Sequence, residues 1–383
     1  MRGLAIVTDV FDRRGGGREQ YVADLSGALV ELGWEVDVLA WQSPPDEEAT
    51  GRFTLRRIGG PRMFAARALA AAIARYRRDH PLRPVLATGP LPGATHCQLH
   101  SGVSADAFAA ERASFGSPLR RACFWPALRL NLRRQRRLRD ESQVLSHDGT
   151  AAVMTFSAAQ GEAICWRFGI DRARVRVAPL GVDRSRFHAR NRTVPPGTPI
   201  QLLFAGHNFR LKGLTAAMSA LATVRATGLD ARLVVAGNGA IRAARRLAHN
   251  LGVASVVEFA GNVPQAEMPR LYRASHVLVH PTFYDPFPRV VIEALACGTP
   301  VITTAACGVS EHLTSGRHGF LVSNAGDIAD LVSAIGACAE PGRWAALSTA
   351  CAELGARFDF ARHVGEVVDW LTAEPHVSAE PHA

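Results

Sequence analysis

Two tandem Rossmann-like domains of the α/β class, facing each other across a cleft, are what this sequence predicts, and three observations predict them. Short apolar runs bounded by Gly, Asn or Pro alternate with helical stretches along nearly the whole chain. The 383 residues exceed what one hydrophobic core usually holds. A polar, Pro-rich stretch at residues 190–199 separates two halves that repeat the same strand–helix order. Strands written as short continuous apolar runs, without alternation, are those of parallel sheets buried on both faces.

In the first half, Leu4–Asp9 reads as a strand. A glycine loop (Gly15, Gly16, Gly17) follows, then a helix whose apolar residues Val22, Leu25, Leu29 and Leu32 fall at helical spacing before Gly33 stops it. Val36–Trp41 completes a βαβ unit, and further strands are predicted at Leu55–Ile58, Val85–Thr88, Cys97–His100, Ala152–Phe156 and Val175–Ala178. The second half predicts strands at Ile200–Ala205, Arg232–Ala236, Val256–Phe259, Val277–His280, Pro300–Thr303 and Gly319–Val322. The expected domains are therefore 1–188 and 199–357. A C-terminal helix over about 358–373 is expected to pack back on the first domain, with a disordered polar tail at 374–383.

Charge is distributed unevenly. Residues 1–190 hold 29 Arg against 19 Asp and Glu, whereas 191–383 hold 15 basic and 15 acidic residues. The whole net charge of +10 thus falls in the first half, which is expected to face an anionic partner. The run Leu119–Arg139 concentrates this charge, with Phe124, Trp125 and leucines between its arginines. Such a segment either lies on an anionic membrane surface or forms a solvated basic helix packed by its leucines. Nothing else resembles a nucleic-acid reading module, so no nucleic acid is expected as partner. Seven scattered cysteines without a CxxC pair fit reduced thiols, and no metal spacing is present. The N-terminus enters a strand without a signal-type apolar region, and no apolar run approaches the roughly 20 residues of a spanning helix. A soluble, cytoplasmic protein is the expectation.

Of 44 basic side chains only Lys212 is a lysine, and it stands in Phe204-Ala205-Gly206-His207-Asn208-Phe209-Arg210-Leu211-Lys212-Gly213. That run reads as a buried strand, a turn, and a cationic pair just before a helix, which is a place to hold phosphate. The richest stretch runs from His280-Pro281 through Asp285-Pro286-Phe287-Pro288-Arg289-Val290-Val291-Ile292-Glu293. A helix is predicted to begin near Pro288, and the N–H groups of its first turn, around Arg289, Val290 and Val291, make an anion pocket. Asp285 outside the helix and Glu293 inside it, eight positions apart, can grip sugar or ribose hydroxyls from two sides. By spacing alone, a turn-capping Asp285 and an ordinary helical Glu293 satisfy the pattern as well. His100, at the end of a predicted strand, is either a cleft residue or a structural one, and Asp9 ends the first strand in a comparable position. The Gly15–Gly17 loop lacks GxGxxG spacing, which argues against a dinucleotide cofactor.

Taken together these motifs resemble family 4 of the retaining glycosyltransferases, whose GT-B fold sets two Rossmann-like domains face to face. Asp285 to Glu293 resembles the family's E-x7-E region, with Asp in place of the first Glu. Gly16-Gly17-Arg18-Glu19 resembles its GGxE loop, and Pro179-Leu180-Gly181-Val182-Asp183 with Phe187 resembles its PxGVDxxxF segment. Arg210 and Lys212-Gly213 resemble its diphosphate-holding pair, and Val235-Ala236-Gly237-Asn238-Gly239, Phe259-Ala260-Gly261, Leu271-Tyr272 and His280-Pro281 follow in order. Within the family, Phe209–Gly213 and Thr303–Gly308 are most similar to the lipopolysaccharide core glucosyltransferases.

The resemblance implies a nucleotide-diphosphate sugar, UDP-glucose-like, bound by Gly16, Gly17, Arg210, Lys212, Gly237, Pro288, Arg289, Val290, Val291 and Glu293. It implies catalytic roles for Asp285, His100, Lys212 and Arg210, with Glu293 on the ribose and Asp285 and His100 at the transferred hexose. It implies no cofactor beyond the co-substrate and no metal. The acceptor would be a lipid-linked or lipopolysaccharide-core glycan, with the enzyme peripheral at the inner face of the cytoplasmic membrane. A nucleotide-sugar isomerase on the same fold and a non-catalytic membrane-surface scaffold are the alternatives.

Overall fold

The computed structural model describes residues 2–45, 53–61, 64–146, 151–190 and 199–373. Residues 191–198 of the expected linker and the expected tail at 374–383 lie outside the described residues.

The first half contributes strands β1 (Gly3–Val10), β2 (Glu35–Gln42), β3 (Thr54–Arg57), β4 (Val85–Ala87), β5 (His96–Gln98), β6 (Ala152–Thr155) and β7 (Val175–Val177). Its helices are α1 (Gly17–Glu31), α2 (Ala65–Asp79), α3 (Ser104–Ala113), α4 (Pro118–Leu130), α5 (Leu132–Leu145) and α6 (Ala158–Phe168). The second half contributes β8 (Ile200–Ala205), β9 (Ala231–Ala236), β10 (Val257–Gly261), β11 (Val277–His280), β12 (Val301–Thr304) and β13 (Gly319–Val322). Its helices are α7 (Leu214–Ala226), α8 (Ile241–Asn250), α9 (Met268–Ala274), α10 (Arg289–Ala296), α11 (Ile328–Ala339), α12 (Pro341–Gly355) and α13 (Phe360–Thr372).

Among the described residues the strands form two parallel sheets, in the orders β3-β2-β1-β4-β5-β6-β7 and β10-β9-β8-β11-β12-β13. Helices cover both faces, so central strands are buried throughout: Leu4 to Val7 and Val277 to Val279 are all 0% exposed. In each sheet the strand order reverses once, between β1 and β4 and between β8 and β11. Crevices at the carboxyl ends of such switch-point strands are where ligands bind in doubly wound sheets.

The chain divides into two compact units. One comprises Met1–Ala105, Trp125–Pro179 and the chain from Ala361 on; the other comprises Asp106–Phe124 and Leu180–Phe360. In the first, α13 buries His363, Val364, Val367, Trp370 and Leu371, and the Trp370 ring meets His96 edge-on at 4.7 Å. In the second, Gly181 lets two chain segments touch, since a Cβ there would stand 2.4 Å from the Asp359 carbonyl oxygen.

The structure departs from the sequence reading in several places. Asp106–Phe124 groups with the second unit although it lies early in the sequence, and the division falls after Pro179, not after residue 188. Leu32 is the C-cap of α1, outside the helix proper, and is 60% exposed instead of buried with Val22, Leu25 and Leu29. β5 ends at Gln98, so His100 stands two residues beyond the strand. β1 runs on through Asp9 to Val10, with Asp9 pointing to solvent within 3.9 Å of Arg18.

Candidate functional site

Loops from the carboxyl ends of β8, β11 and β12 meet at the second sheet's switch point. β8 and β11 are paired, Val277 with Leu202 and Leu278 with Leu203, so the chain leaving Ala205 and the chain leaving His280 emerge side by side. They approach closely because Gly213 has φ +81° and no side chain: a Cβ there would lie 2.1 Å from the Pro281 carbonyl oxygen. This contact seats Lys212 against the β11 loop. Its Nζ stands 2.5 Å from Asp285 Oδ2 and donates to the Tyr284 carbonyl at 3.2 Å. His280, the last residue of β11, places Nε2 3.2 Å from the same carboxylate oxygen. The main chain of Asp285 is pinned in turn by the loop after β12. Its N–H donates to Ala306 O at 3.0 Å, and its carbonyl accepts from Gly308 N at 2.8 Å.

These contacts decide charge states. Burial would raise the Asp285 carboxyl, but the Lys212 ammonium and the His280 hydrogen bond outweigh it and hold the group below the usual carboxylate range. Burial lowers His280 below its ordinary value, so at neutral pH it is an uncharged imidazole donating Nε2–H to Asp285. Cys307, 0% exposed beside this loop, is pushed up to about 12 by burial and then by the Asp285 charge; it is an inert thiol.

Glu293 is held just as firmly. α10 starts after Pro288 and carries Glu293 one turn in, where Oε2 accepts from Tyr272 Oη at 2.9 Å and Oε1 from Gln265 Nε2 at 3.1 Å. Arg289 Nε lies 3.7 Å from Oε1. Burial and then the Glu293 charge raise Tyr272 well above the ordinary phenol, so it serves as a fixed donor. Of the expected first-turn amides, Val291 N already donates to Pro288 O at 3.1 Å, which removes it from the predicted anion pocket; Arg289 and Val290 remain in the first turn.

Arg210 takes a different direction from Lys212. Its Nη2 meets Glu111 Oε1 at 3.4 Å and its guanidinium lies 3.6 Å from the centroid of the Phe115 ring, both groups from Asp106–Phe124. Gly237, with φ +122°, serves close approach: a Cβ would lie 2.2 Å from Gly206 O, and its N–H donates to Gly261 O at 2.6 Å.

In the first unit, Gly16 is the N-cap of α1 and Gly17 its first residue, so the glycine loop feeds a helix N-terminus at the carboxyl end of β1. His100 is half-buried between the rings of Tyr21 and Phe156, each 4.7 Å away, and its Nε2 lies 3.2 Å from Gln98 Oε1. A hollow of about 480 Å³ opens at the ends of β1, β2 and β3, lined by Asp12, Trp41, Gln42 and Arg57 among others.

Sequence reasoning did not assign His280, Gln265 or Glu111. His280 carried a signal, a histidine at the end of a switch-point strand; Gln265 and Glu111 carried none, since both come from distant segments. Among the described residues no group of His, Cys, Asp and Glu could hold a metal, and no helix is long and apolar enough to cross a membrane.

Two family models adjoin along the chain: "Glycosyltransferase Family 4" over residues 15–186 and "Glycosyl transferases group 1" over residues 185–340. A D-inositol 3-phosphate glycosyltransferase of Pseudarthrobacter chlorophenolicus is 34% identical over 202 residues, covering 49% of this chain and 48% of that protein. The chain thus spans about half the length of the curated relatives it matches. Among solved structures, WaaG, a glycosyltransferase involved in lipopolysaccharide biosynthesis, superposes with a TM-score of 0.80 at 18% identity, over 97% of this chain and all of that one. HepE of Anabaena, in complex with UDP-glucose, gives 0.75 at 16% identity, over 98% of this chain and 100% of its own.

Proposed function

The chain belongs to the group 1 and family 4 glycosyltransferases of GT-B fold, and on that premise we propose that it moves a hexose, with retention, from a nucleotide-diphosphate sugar to a glycan acceptor at a membrane. The observation that carries this is the Lys212–Asp285–His280 cluster at the β8/β11 switch point, set beside a buried and fully held Glu293. A cation beside the sugar-facing carboxylate is what a leaving diphosphate requires: Lys212 neutralises charge as the anomeric C–O bond breaks, with the first-turn amides of Arg289 and Val290 beside it. The acceptor oxygen forms the new bond, and its proton goes to the departing phosphate. Asp285 holds hydroxyls of the transferred sugar, and Glu293 takes the ribose hydroxyls in a geometry that Tyr272 and Gln265 fix in advance; within the first unit, His100 is the residue read as a sugar contact. Arg210, once released from Glu111, adds a second cation to the diphosphate, and Gly16, Gly17 and Gly237 give the donor close main-chain approach. UDP-glucose is the donor supported by the neighbour solved with it.

On the acceptor side, α4 and α5 expose Leu119, Trp125, Leu130 and Leu132 among Arg120, Arg121, Arg129, Arg133, Arg134 and Arg136. Apolar tips among arginines suit an anionic lipid surface, hence a lipid-linked or lipopolysaccharide-core glycan acceptor and a peripheral position at the inner face of the cytoplasmic membrane. A second reading of the acceptor, a soluble phosphorylated polyol, is favoured by the inositol phosphate relative.

Thermal shift against a panel of nucleotide sugars tests the donor half. One donor should raise the melting temperature of the wild type and shift Lys212→Ala much less. An equal donor-induced shift in both proteins removes Lys212 from the phosphate site. Turnover of the donor without any acceptor would identify an isomerase instead, and the absence of any nucleotide-dependent shift a non-catalytic scaffold.

A further inference from the structure

Four side chains of the first unit form one hydrogen-bonded chain that ends on a main-chain carbonyl. His100 Nε2 lies 3.2 Å from Gln98 Oε1, and Gln98 Nε2 lies 2.8 Å from Tyr21 Oη. Tyr21 Oη is 2.9 Å from His363 Nε2, and His363 Nδ1 is 3.0 Å from Pro179 O. The three middle members, Gln98, Tyr21 and His363, are each at most 1% exposed, so their polar atoms must find partners inside the protein.

The last link fixes the direction of all the others. A carbonyl can only accept, so His363 Nδ1 carries the proton and donates to Pro179 O. In a neutral imidazole the other nitrogen then accepts, and the Tyr21 hydroxyl donates to it. Tyr21 Oη is left offering a lone pair, so the Gln98 atom facing it must be the amide nitrogen, which also points at Met154 Sδ at 3.4 Å. Gln98 therefore turns its oxygen to His100, and His100 must supply the proton from Nε2. The opposite direction would need protons on both His363 nitrogens, a charge in an interior that is 1% exposed.

We propose that His363, acting through Tyr21 and Gln98, is a positioning residue that holds His100 as the Nε2–H tautomer, so that Nδ1 accepts a hydrogen bond from a hydroxyl of the sugar substrate. The sugar contact rests on the reading of His100 given above; the tautomer does not. Stacking against Tyr21 and Phe156 fixes the ring plane, and the relay fixes which nitrogen carries the lone pair. A residue of α13 thereby sets the chemistry of a loop after β5 that is 263 positions away in sequence.

The test is ring-nitrogen NMR on the full chain labelled with 15N-histidine, with His100→Ala and His363→Ala assigning the two signals by their loss. In the wild type, His100 should carry its proton on Nε2 and His363 on Nδ1; a His100 proton on Nδ1 overturns the proposal without any variant being needed. Tyr21→Phe cuts the relay and should leave His100 a mixture of tautomers, with kcat/KM for the sugar donor reduced roughly 5- to 10-fold, the effect of one lost hydrogen bond. An unmixed His100 in that variant removes His363 from the role. Adding Gln98→Glu to Tyr21→Phe should restore the single tautomer, because a carboxylate only accepts and again draws the proton to Nε2; a persisting mixture overturns the relay. If the tautomers come out as stated but His100→Ala transfers sugar at the wild-type rate, it is the sugar contact, not the relay, that fails.

Discussion

Lys212 is the sole lysine among 44 basic residues, and its surroundings show what an ammonium does there that a guanidinium would not. Nζ sits between Asp285 Oδ2 and Tyr284 O, a socket for a compact point charge. Lys212→Arg is therefore expected to lose most activity while folding normally, measured as kcat with the best donor; full activity would make the choice of lysine accidental. Removing the cation costs stability as well, because Asp285 is left charged and only 13% exposed. Lys212→Ala should lose about 3 kcal/mol, the lower end for breaking a buried pair, and Lys212→Met with Asp285→Asn should recover part of it in urea melts. The pH dependence follows in sign. Asp285 has a depressed folded-state pKa, so its contribution is present above the unfolded carboxylate value and disappears as pH falls through the lower folded one. In Lys212→Ala that loss should begin at higher pH.

At the scale of elements, the site is an assembly of loops that glycines allow to touch. Gly213 combines a positive φ with a contact that leaves no room for a methyl group. Gly213→Ala is thus expected to cost about 2 kcal/mol and to lower the melting temperature by roughly 4–8 °C. Because the displaced loop carries Lys212, the donor-induced thermal shift should shrink in parallel; a variant that melts early yet keeps the full shift would separate the glycine from the site. α10 illustrates a second element-scale device. Its glutamate is aimed by Tyr272 of α9 and by Gln265 in the turn preceding α9, so Tyr272→Phe should raise the donor KM with little change in kcat, as expected for a residue acting through ribose binding.

For the whole molecule, the dominant property is the charge division, +10 in residues 1–190 and zero beyond. The arginines of α4 and α5 form its exposed concentration. Replacing Arg133, Arg134, Arg136 and Arg137 by Gln should release the protein from anionic liposomes in a flotation assay. Wild-type binding should itself weaken as salt rises from about 0.1 to 1 M, where the screening length falls from about 10 to 3 Å. Binding that ignores both changes would exclude this segment as the anchor and favour a soluble acceptor.

What the sequence determined by itself was the fold, and it marked Lys212, Asp285 and Glu293 as candidate site residues. Buried parallel strands write themselves as short apolar runs, and all thirteen strands among the described residues lie within two positions of their predicted places. Lys212, Asp285 and Glu293 were legible because each follows a strand at a spacing with a chemical purpose. The partners were not legible: that Asp285 meets Lys212 and His280, that Glu293 leans on Tyr272 and Gln265, and that Arg210 turns to Glu111. Nor could the sequence show that Asp106–Phe124 belongs with the second unit, or that His363 reaches Tyr21. Local pattern encodes which face of an element is buried, but not which distant side chain waits there. Hydrogen bonds across tens or hundreds of residues leave no periodicity to read, so only the packed tertiary structure decides them.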